Sequence, residues 1–213
     1  MFILIQNKHI KHIVANKIYY ERVIVNKKRP LGNLVWIDLE MTGLNIQTDV
    51  ILEIAMVITD GNLNVIEQGP SFVISQPEEK LLCMDKWCTE QHQKSGLIDA
   101  VLASNIAVEY AEKEALQFIK KHCLIHTGIL AGNTVWQDRL FLHKYMPSII
   151  QYLHYRLVDV STCKELVRHW YAPQEGKPQV ASTEFKKSDN HRALDDIYGS
   201  IAELDYYKKH FFV

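Results

Sequence analysis

A mixed α/β fold, with a central sheet flanked by helices, is what this sequence predicts, and three observations predict it. Two short apolar runs rich in strand formers come first, at residues 34–40 and 51–59. Two more, at 128–132 and 156–160, alternate with segments of helical periodicity. Strands that lead and afterwards alternate with helices assemble into one sheet covered by helices. The 213 residues, 47% apolar and 23% charged, have globular proportions, which excludes collagen-like, low-complexity and disordered classes. No apolar run approaches the ~20 residues that a membrane-spanning helix needs.

In chain order, Leu34-Val35-Trp36-Ile37-Asp38-Leu39-Glu40 opens the sheet. The run at 51–59 passes through the turn sequence Asp60-Gly61-Asn62 into residues 65–75, so antiparallel neighbours are expected there. Residues 84–94 read as a short helix. Residues 106–121 place Ile106, Ala107, Tyr110, Ala111, Ala115, Phe118 and Ile119 at three- and four-residue spacings, an amphipathic helix facing a core. A buried strand at 128–132 precedes a helix at 134–145, stopped by Pro147; strand-like 156–160 precedes a helix at 162–171, stopped by Pro173. Residues 172–190 carry Pro, Gly, Ser and Lys without period, a loop long enough to suggest function. The last helix, 191–209, presents Ala193, Ile197, Ile201 and Leu204 on one side.

The net charge of -1 conceals a division. Residues 1–32 hold seven Lys/Arg and one acid, Glu21, for a net of +6, which leaves -7 on residues 33–213. The chain divides there into a basic N-terminal extension and a folded domain. An acidic domain lacks the basic footprint of a duplex-binding protein, so a nucleic-acid role must rest on a local site or a bound cation. The extension is basic and acid-poor like a mitochondrial transit peptide, yet it has two Arg and no Ser where such peptides are rich in both. A flexible tail, or a start placed upstream, fits equally. The four cysteines form no C-x-x-C pair and read as reduced thiols of an intracellular protein, with the cytoplasm as default location and mitochondria as the alternative.

Asp38 and Glu40 stand two apart in an apolar strand, so both carboxylates point to one face. Like charges in a partly buried site repel and are tolerated with a protonated member or a cation, although a strand end meeting solvent would also explain one such pair. Two further constellations add acids. Asp138 ends Ala131-Gly132-Asn133-Thr134-Val135-Trp136-Gln137-Asp138, where strand gives way to helix, and His191-Arg192-Ala193-Leu194-Asp195-Asp196 opens the last helix. Spacing leaves Asp195 and Asp196 both open as partners of His191, because helix starts fray.

Asp-x-Glu on the first strand, a middle Asp on a helix and His-x4-Asp near the end resemble the DEDDh family of 3′-to-5′ exonucleases. Within it the chain is similar to the oligoribonucleases. Trp36-Ile37-Asp38-Leu39-Glu40-Met41-Thr42-Gly43-Leu44, Ala131-Gly132-Asn133 with Gln137-Asp138, His154-Tyr155-Arg156, Asp159-Val160-Ser161-Thr162 with Lys164-Glu165-Leu166, and His191-Arg192-Ala193-Leu194-Asp195-Asp196-Ile197 carry that similarity. It runs from about Leu34 to Phe211 and leaves residues 1–32 outside. It implies a ribonuclease H-like exonuclease fold for residues 33–213. The implied activity is 3′-to-5′ degradation of very short oligoribonucleotides, dinucleotides especially, to nucleoside 5′-monophosphates.

The resemblance further implies two divalent ions, Mg²⁺ or Mn²⁺, held by Asp38, Glu40, Asp138 and Asp196; hard oxygen ligands suit those ions. The family pattern chooses Asp196 over Asp195. It makes His191 the general base, an imidazole that titrates near neutral pH. Leu44 would wedge between bases, Trp87 would stack on one, and His92 and Thr134 would neighbour the substrate. Arg156, Ser161 and Thr162 would cap the 5′ phosphate, and Tyr155 would reach into the partner's site of a homodimer, with Arg156 nearby. Trp136 departs from the pattern, standing where a small or polar residue is expected; it packs on the helix flank or narrows the site.

Three rival readings are open to test. A DEDDh exonuclease for longer RNA or DNA shares the four carboxylates and His191, and differs at Trp87, Tyr155, Arg156 and Ser161. An inactive exonuclease fold that only binds nucleic acid is disfavoured by the complete set of ligands. A zinc site at His122-Cys123 with His126 lacks a fourth partner at conventional spacing.

Overall fold

β1 (Leu34–Met41) is the middle of the sheet, and its alternation defines the two sides of the molecule. In this computed structural model, which describes residues 32–171, 185 and 192–212, Val35, Ile37 and Leu39 enter one core cluster while Leu34 and Trp36 enter another. β2 (Ile51–Thr59) pairs antiparallel with β1, with β3 (Val65–Gln68) and with β4 (Phe72–Val73). β5 (Ile129–Gly132) runs parallel to β1, and β6 (Leu157–Asp159) parallel to β5, in the order β3-β2-β1-β5-β6. The mixed sheet expected from the sequence is the one observed.

Helices cover both faces. Beyond the hairpin edge, α1 (Glu78–Leu82), α2 (Lys86–Lys94) and α3 (Leu97–Ala103) pack Leu81, Met84, Cys88, Leu97 and Val101 around Val50 and Leu52. One face of the sheet takes α4 (Val108–His122), through Ala111, Ala115 and Ile119, with α5 (Val135–Tyr145) and α6 (Pro147–Tyr152) through Phe141, Leu142 and Ile149. The other takes α7 (Val160–Tyr171) and α8 (Ala193–His210), whose Val160, Val167, Ala193, Ile197, Ile201 and Tyr207 surround Trp36. The Trp36 indole N–H is satisfied inside that cluster by Thr59 Oγ1 at 3.0 Å.

Differences from the sequence reading have local causes. The strand expected over 65–75 divides at Gly69-Pro70, because proline has no N–H to give the ladder. Pro147 ends one helix and begins another, since its fixed φ and missing donor suit a first helical position. α7 begins two residues before the expected start, at Val160, and α8 begins at Ala193. Two of the three residues weighed for zinc point elsewhere: His122 Nε2 lies 3.2 Å from Glu67, and Cys123 packs in the core. All four cysteines are free thiols, and burial pushes the Cys88 and Cys123 thiols up to about 11, which disfavours their thiolate forms.

No helix among the described residues is long and apolar enough to cross a membrane. The N-terminal extension except Gly32, the loop at 172–190 except Phe185, and His191 lie outside the described residues.

Candidate active site

Period two carries the Leu34–Trp36 series on to Asp38 and Glu40, so both acids leave β1 on the face that α8 covers. Asp196 stands in the first turn of α8. One carboxylate oxygen from each of Asp38, Glu40 and Asp196 lies within 4.8 Å of the other two. Asp195 beside it is exposed, so the geometry separates two acids that spacing left open. Register slips between Glu40 and Met41, and a bulge there turns the strand just past the acids. Asp138, in the first turn of α5, is buried and lines the same recess, where its Oδ1 accepts the Leu39 N–H at 3.0 Å.

This crowding perturbs the acids. Burial, followed by the charges of Asp196, Glu53 and Asp138, pushes Glu40 up to about 8, with Arg192 opposing. Burial pushes Asp138 up to about 7 despite the hydrogen bond from Leu39. Carboxylates gathered in this way are costly without a counter-charge. A divalent cation supplies one, and a donor set made only of carboxylates suits Mg²⁺ or Mn²⁺.

Two residues not singled out by sequence hold the site together. Glu53, only 2% exposed, lies across from Glu40 on β2. Arg192 donates to it twice, Nε to Oε2 at 3.0 Å and a terminal nitrogen to Oε1 at 2.7 Å. The Arg192 carbonyl in turn accepts the Asp196 N–H at 3.1 Å. The start of α8 is thereby clamped to β2 one turn before Asp196. A sequence signal did exist: Glu53 is the one charge in the otherwise apolar Ile51–Thr59.

Two recesses adjoin the acids. One, of about 300 Å³, is lined by Asp38, Glu40, Asp138 and Asp196 with Leu44, Thr134 and Trp136; the other, of about 440 Å³, by Glu40, Leu44, Trp87 and His92. His92 is buried, and its Nε2 must carry the proton because it donates to the Met41 carbonyl at 2.9 Å; Nδ1 then lies 3.9 Å from Glu40 Oε2. Asp85 caps α2 by accepting the Cys88 N–H at 2.7 Å, which fixes the helix that presents Trp87.

Thr134 takes a left-handed φ of 52°, a strained state for a β-branched residue. Its N–H is held by Asp159 Oδ1 at 3.0 Å and Ser161 Oγ at 2.9 Å, and Ser161 Oγ donates to Asn133 Oδ1 at 2.9 Å. Asn133 reaches on to Ser200 and the buried Glu203 of α8. Asp159, Asn133 and Glu203 thus support a pair of hydroxyls, those of Thr134 and Ser161, at the rim of the acidic recess. Tyr155, Arg156 and Thr162 are exposed and line neither recess; the Arg156 guanidinium lies 5.5 Å from the Tyr155 ring centre.

The sequence pattern of the family described as Exonuclease (RNase_T) matches residues 35–204. The chain is 50% identical over 189 residues to a probable oligoribonuclease of Dictyostelium discoideum, covering 89% of this chain and 94% of that one. It is 48% identical over 179 residues to a mitochondrial oligoribonuclease of Homo sapiens, covering 84% and 73%. Its fold is similar to that of E. coli exonuclease I in complex with a dT13 oligonucleotide, with a TM-score of 0.60 and 16% identity. That match covers 84% of this chain and 41% of the other, so the chain spans about two fifths of that protein's length.

Proposed function

The chain belongs to the oligoribonuclease family of metal-dependent 3′-to-5′ exoribonucleases, and from that membership we propose that it hydrolyses RNA fragments as short as dinucleotides to nucleoside 5′-monophosphates. The observation that carries the proposal is the convergence of Asp38, Glu40 and Asp196 within 4.8 Å, with Asp138 in the same recess. These four carboxylates would hold two divalent ions, Mg²⁺ or Mn²⁺. Bound there, such ions supply Lewis acidity that acidifies the attacking water and stabilises charge on the phosphate and the leaving oxygen.

The chain's own residues orient the reactants and move the proton. His191, as general base, takes a proton from the water that forms the new P–O bond. The P–O3′ bond breaks, and the released ribose 3′ oxygen takes a proton from solvent water while the proton held by His191 returns to solvent. Leu44, 68% exposed, parts the two bases and Trp87, 61% exposed, stacks on one; a π face accepts any base. His92, whose Nδ1 lies 3.9 Å from Glu40 Oε2, and Thr134 neighbour the substrate from the walls of the two recesses. Ser161, Thr162 and Arg156 cap the 5′ phosphate and so exclude longer strands, and in a homodimer Tyr155 and Arg156 approach the partner's site. The exposure of Tyr155 and Arg156 away from both recesses supports a role across an interface.

The test is a 5′-labelled diribonucleotide beside a longer oligomer, with Mg²⁺ and with chelator. Conversion of the dinucleotide to mononucleotides in Mg²⁺ alone, faster than attack on the oligomer, is the expected result. An intact dinucleotide would falsify the proposal; equal cleavage of both substrates would reassign the chain to exonucleases of longer strands. For location, the cytoplasm is the reading, and the basic residues 1–32 with the mitochondrial name of the human relative support the alternative. Imaging the full chain beside one lacking residues 1–32 separates the two.

A further inference from the structure

Behind the rim hydroxyls of Thr134 and Ser161 runs a chain of hydrogen bonds that ends on a buried carboxylate. Glu203 of α8 is 1% exposed, and three donors face it: Asn133 Nδ2 lies 2.9 Å from Oε2, and the Tyr207 hydroxyl at 2.8 Å and Lys164 Nζ at 3.7 Å face Oε1. Burial, then the hydrogen bond to Glu203, pushes the Tyr207 phenol above its ordinary range, so it stays a donor. A carboxylate is kept inside a protein where such donors hold its charge, and the chemistry at the four metal-site acids makes no use of this one.

The chain has one direction. Ser200, three residues before Glu203 on the same side of α8, gives its hydroxyl hydrogen to the Asp196 carbonyl at 2.7 Å, so its oxygen accepts from Asn133 Nδ2 at 3.0 Å. An ionised Glu203 likewise only accepts. Both N–H bonds of the Asn133 carboxamide are therefore spent on α8, and its Oδ1 faces the rim, where it takes the Ser161 hydroxyl hydrogen at 2.9 Å. With that hydrogen committed, the 2.9 Å bond between the two rim hydroxyls is donated by Thr134, and Ser161 Oγ also accepts the Thr134 N–H at 2.9 Å. Of the two hydroxyls, that of Thr134 can turn its hydrogen toward an anion with the rest of the chain intact. A reversed Asn133 would set its oxygen against the Glu203 carboxylate, so the buried charge fixes the direction as well as the position.

The geometry points to Glu203 as a positioning residue for 5′-phosphate recognition: through Asn133 it holds the Ser161 oxygen that keeps Thr134 in its left-handed turn, with the Thr134 hydroxyl at the rim. The assignment rests on the 5′-phosphate cap proposed above and deepens it, because Glu203 lines neither recess and acts only through other residues. The strain at Thr134 explains the need for support, since a β-branched residue at a φ of 52° relaxes unless its surroundings hold it.

The experiment measures KM and kcat for a diribonucleotide with and without its 5′ phosphate, using wild type, Glu203→Leu, Glu203→Gln and Tyr207→Phe. One hydrogen bond is worth about 2- to 12-fold in an equilibrium. Glu203→Leu is expected to raise KM for the phosphorylated substrate by about that factor, with kcat nearly unchanged and little rise for the 5′-hydroxyl substrate. Glu203→Gln keeps an acceptor for Asn133 and should recover most of the loss. Tyr207→Phe takes a donor from Glu203 but leaves Asn133 bonded, so it should lower the melting temperature and keep the wild-type preference for the phosphate. In a Ser161→Ala background Glu203→Leu should lose its effect on KM, because the link it acts through is gone. Should Glu203→Leu fail to fold, Asn133→Ala breaks the same chain one link nearer the rim and carries the same expectation. An unchanged KM, an equal rise on both substrates, an altered phosphate preference in Tyr207→Phe, or an effect that persists without Ser161 overturns the assignment. Wild type that cleaves both substrates alike would instead defeat the cap itself, so the two failures are distinguishable.

Discussion

Asp38→Asn is expected to lower hydrolysis of a diribonucleotide by about 10³-fold or more while the protein stays folded. Asp38 contributes one of the three converging oxygens, and Asn keeps the shape while removing the charge that a divalent cation needs. Lewis-acid stabilisation is worth several kcal/mol, and each ~1.36 kcal/mol is ten-fold in rate. Stability should move the other way. In the metal-free protein the acids repel, so the variant is expected to melt no lower than wild type. Wild type gains melting temperature on adding Mn²⁺, by mass action on the folded state, and the variant should lose most of that gain. The exposed neighbour provides a control, since Asp195→Asn should retain wild-type activity. Full activity in Asp38→Asn, or a collapse in Asp195→Asn instead, would remove the carboxylate cluster from the chemistry. Retained RNA binding without hydrolysis would show that binding and cleavage separate.

The acids that could be read from sequence were those in conflict with their surroundings. Asp38 and Glu40 interrupt an apolar strand as a pair, and period two is enough to put them on one face. Glu53 interrupts its strand in the same way, yet a single acid has no second acid at the next position to mark a face. Its partner Arg192 is 139 residues away, a distance that no local pattern bridges. The choice between Asp195 and Asp196 depended on where α8 begins, and it begins at Ala193, beside the Arg192–Glu53 pair that no local periodicity announces.

The same division holds for the fold. Strands at 34–40 and 51–59 were legible because burial on both faces demands continuous apolar residues. Helix Glu78–Leu82 has five residues, too few to complete two turns and display a period. Thr134 in the left-handed region runs against its own preference, and the Asp159 and Ser161 acceptors, carried by β6 and α7, hold its N–H there. Local rules describe elements that satisfy them; the strained turn is set by tertiary partners.

Arg192→Met is expected to be the most destabilising single change at the site. It leaves Glu53 as a buried carboxylate without its bidentate partner, a loss of 3–5 kcal/mol in typical buried pairs. The Arg192 side chain is 38% exposed and already partly screened, so about 2–4 kcal/mol is the better expectation. For a chain of this size that lowers the melting temperature by roughly 4–16 °C. Glu53→Gln should cost less, because Arg192 can turn toward water whereas Glu53 cannot. The double change Glu53→Leu with Arg192→Met removes both charges and should recover much of the stability, as apolar replacements of buried pairs do. Activity should not recover with it. The Arg192 carbonyl receives the Asp196 N–H, and without the clamp the first turn of α8 is free to shift against β2, taking Asp196 out of the 4.8 Å group. Thermal melts read beside hydrolysis rates separate these two consequences. A double variant with both stability and wild-type activity would show that the pair holds the helix but does not position the acid.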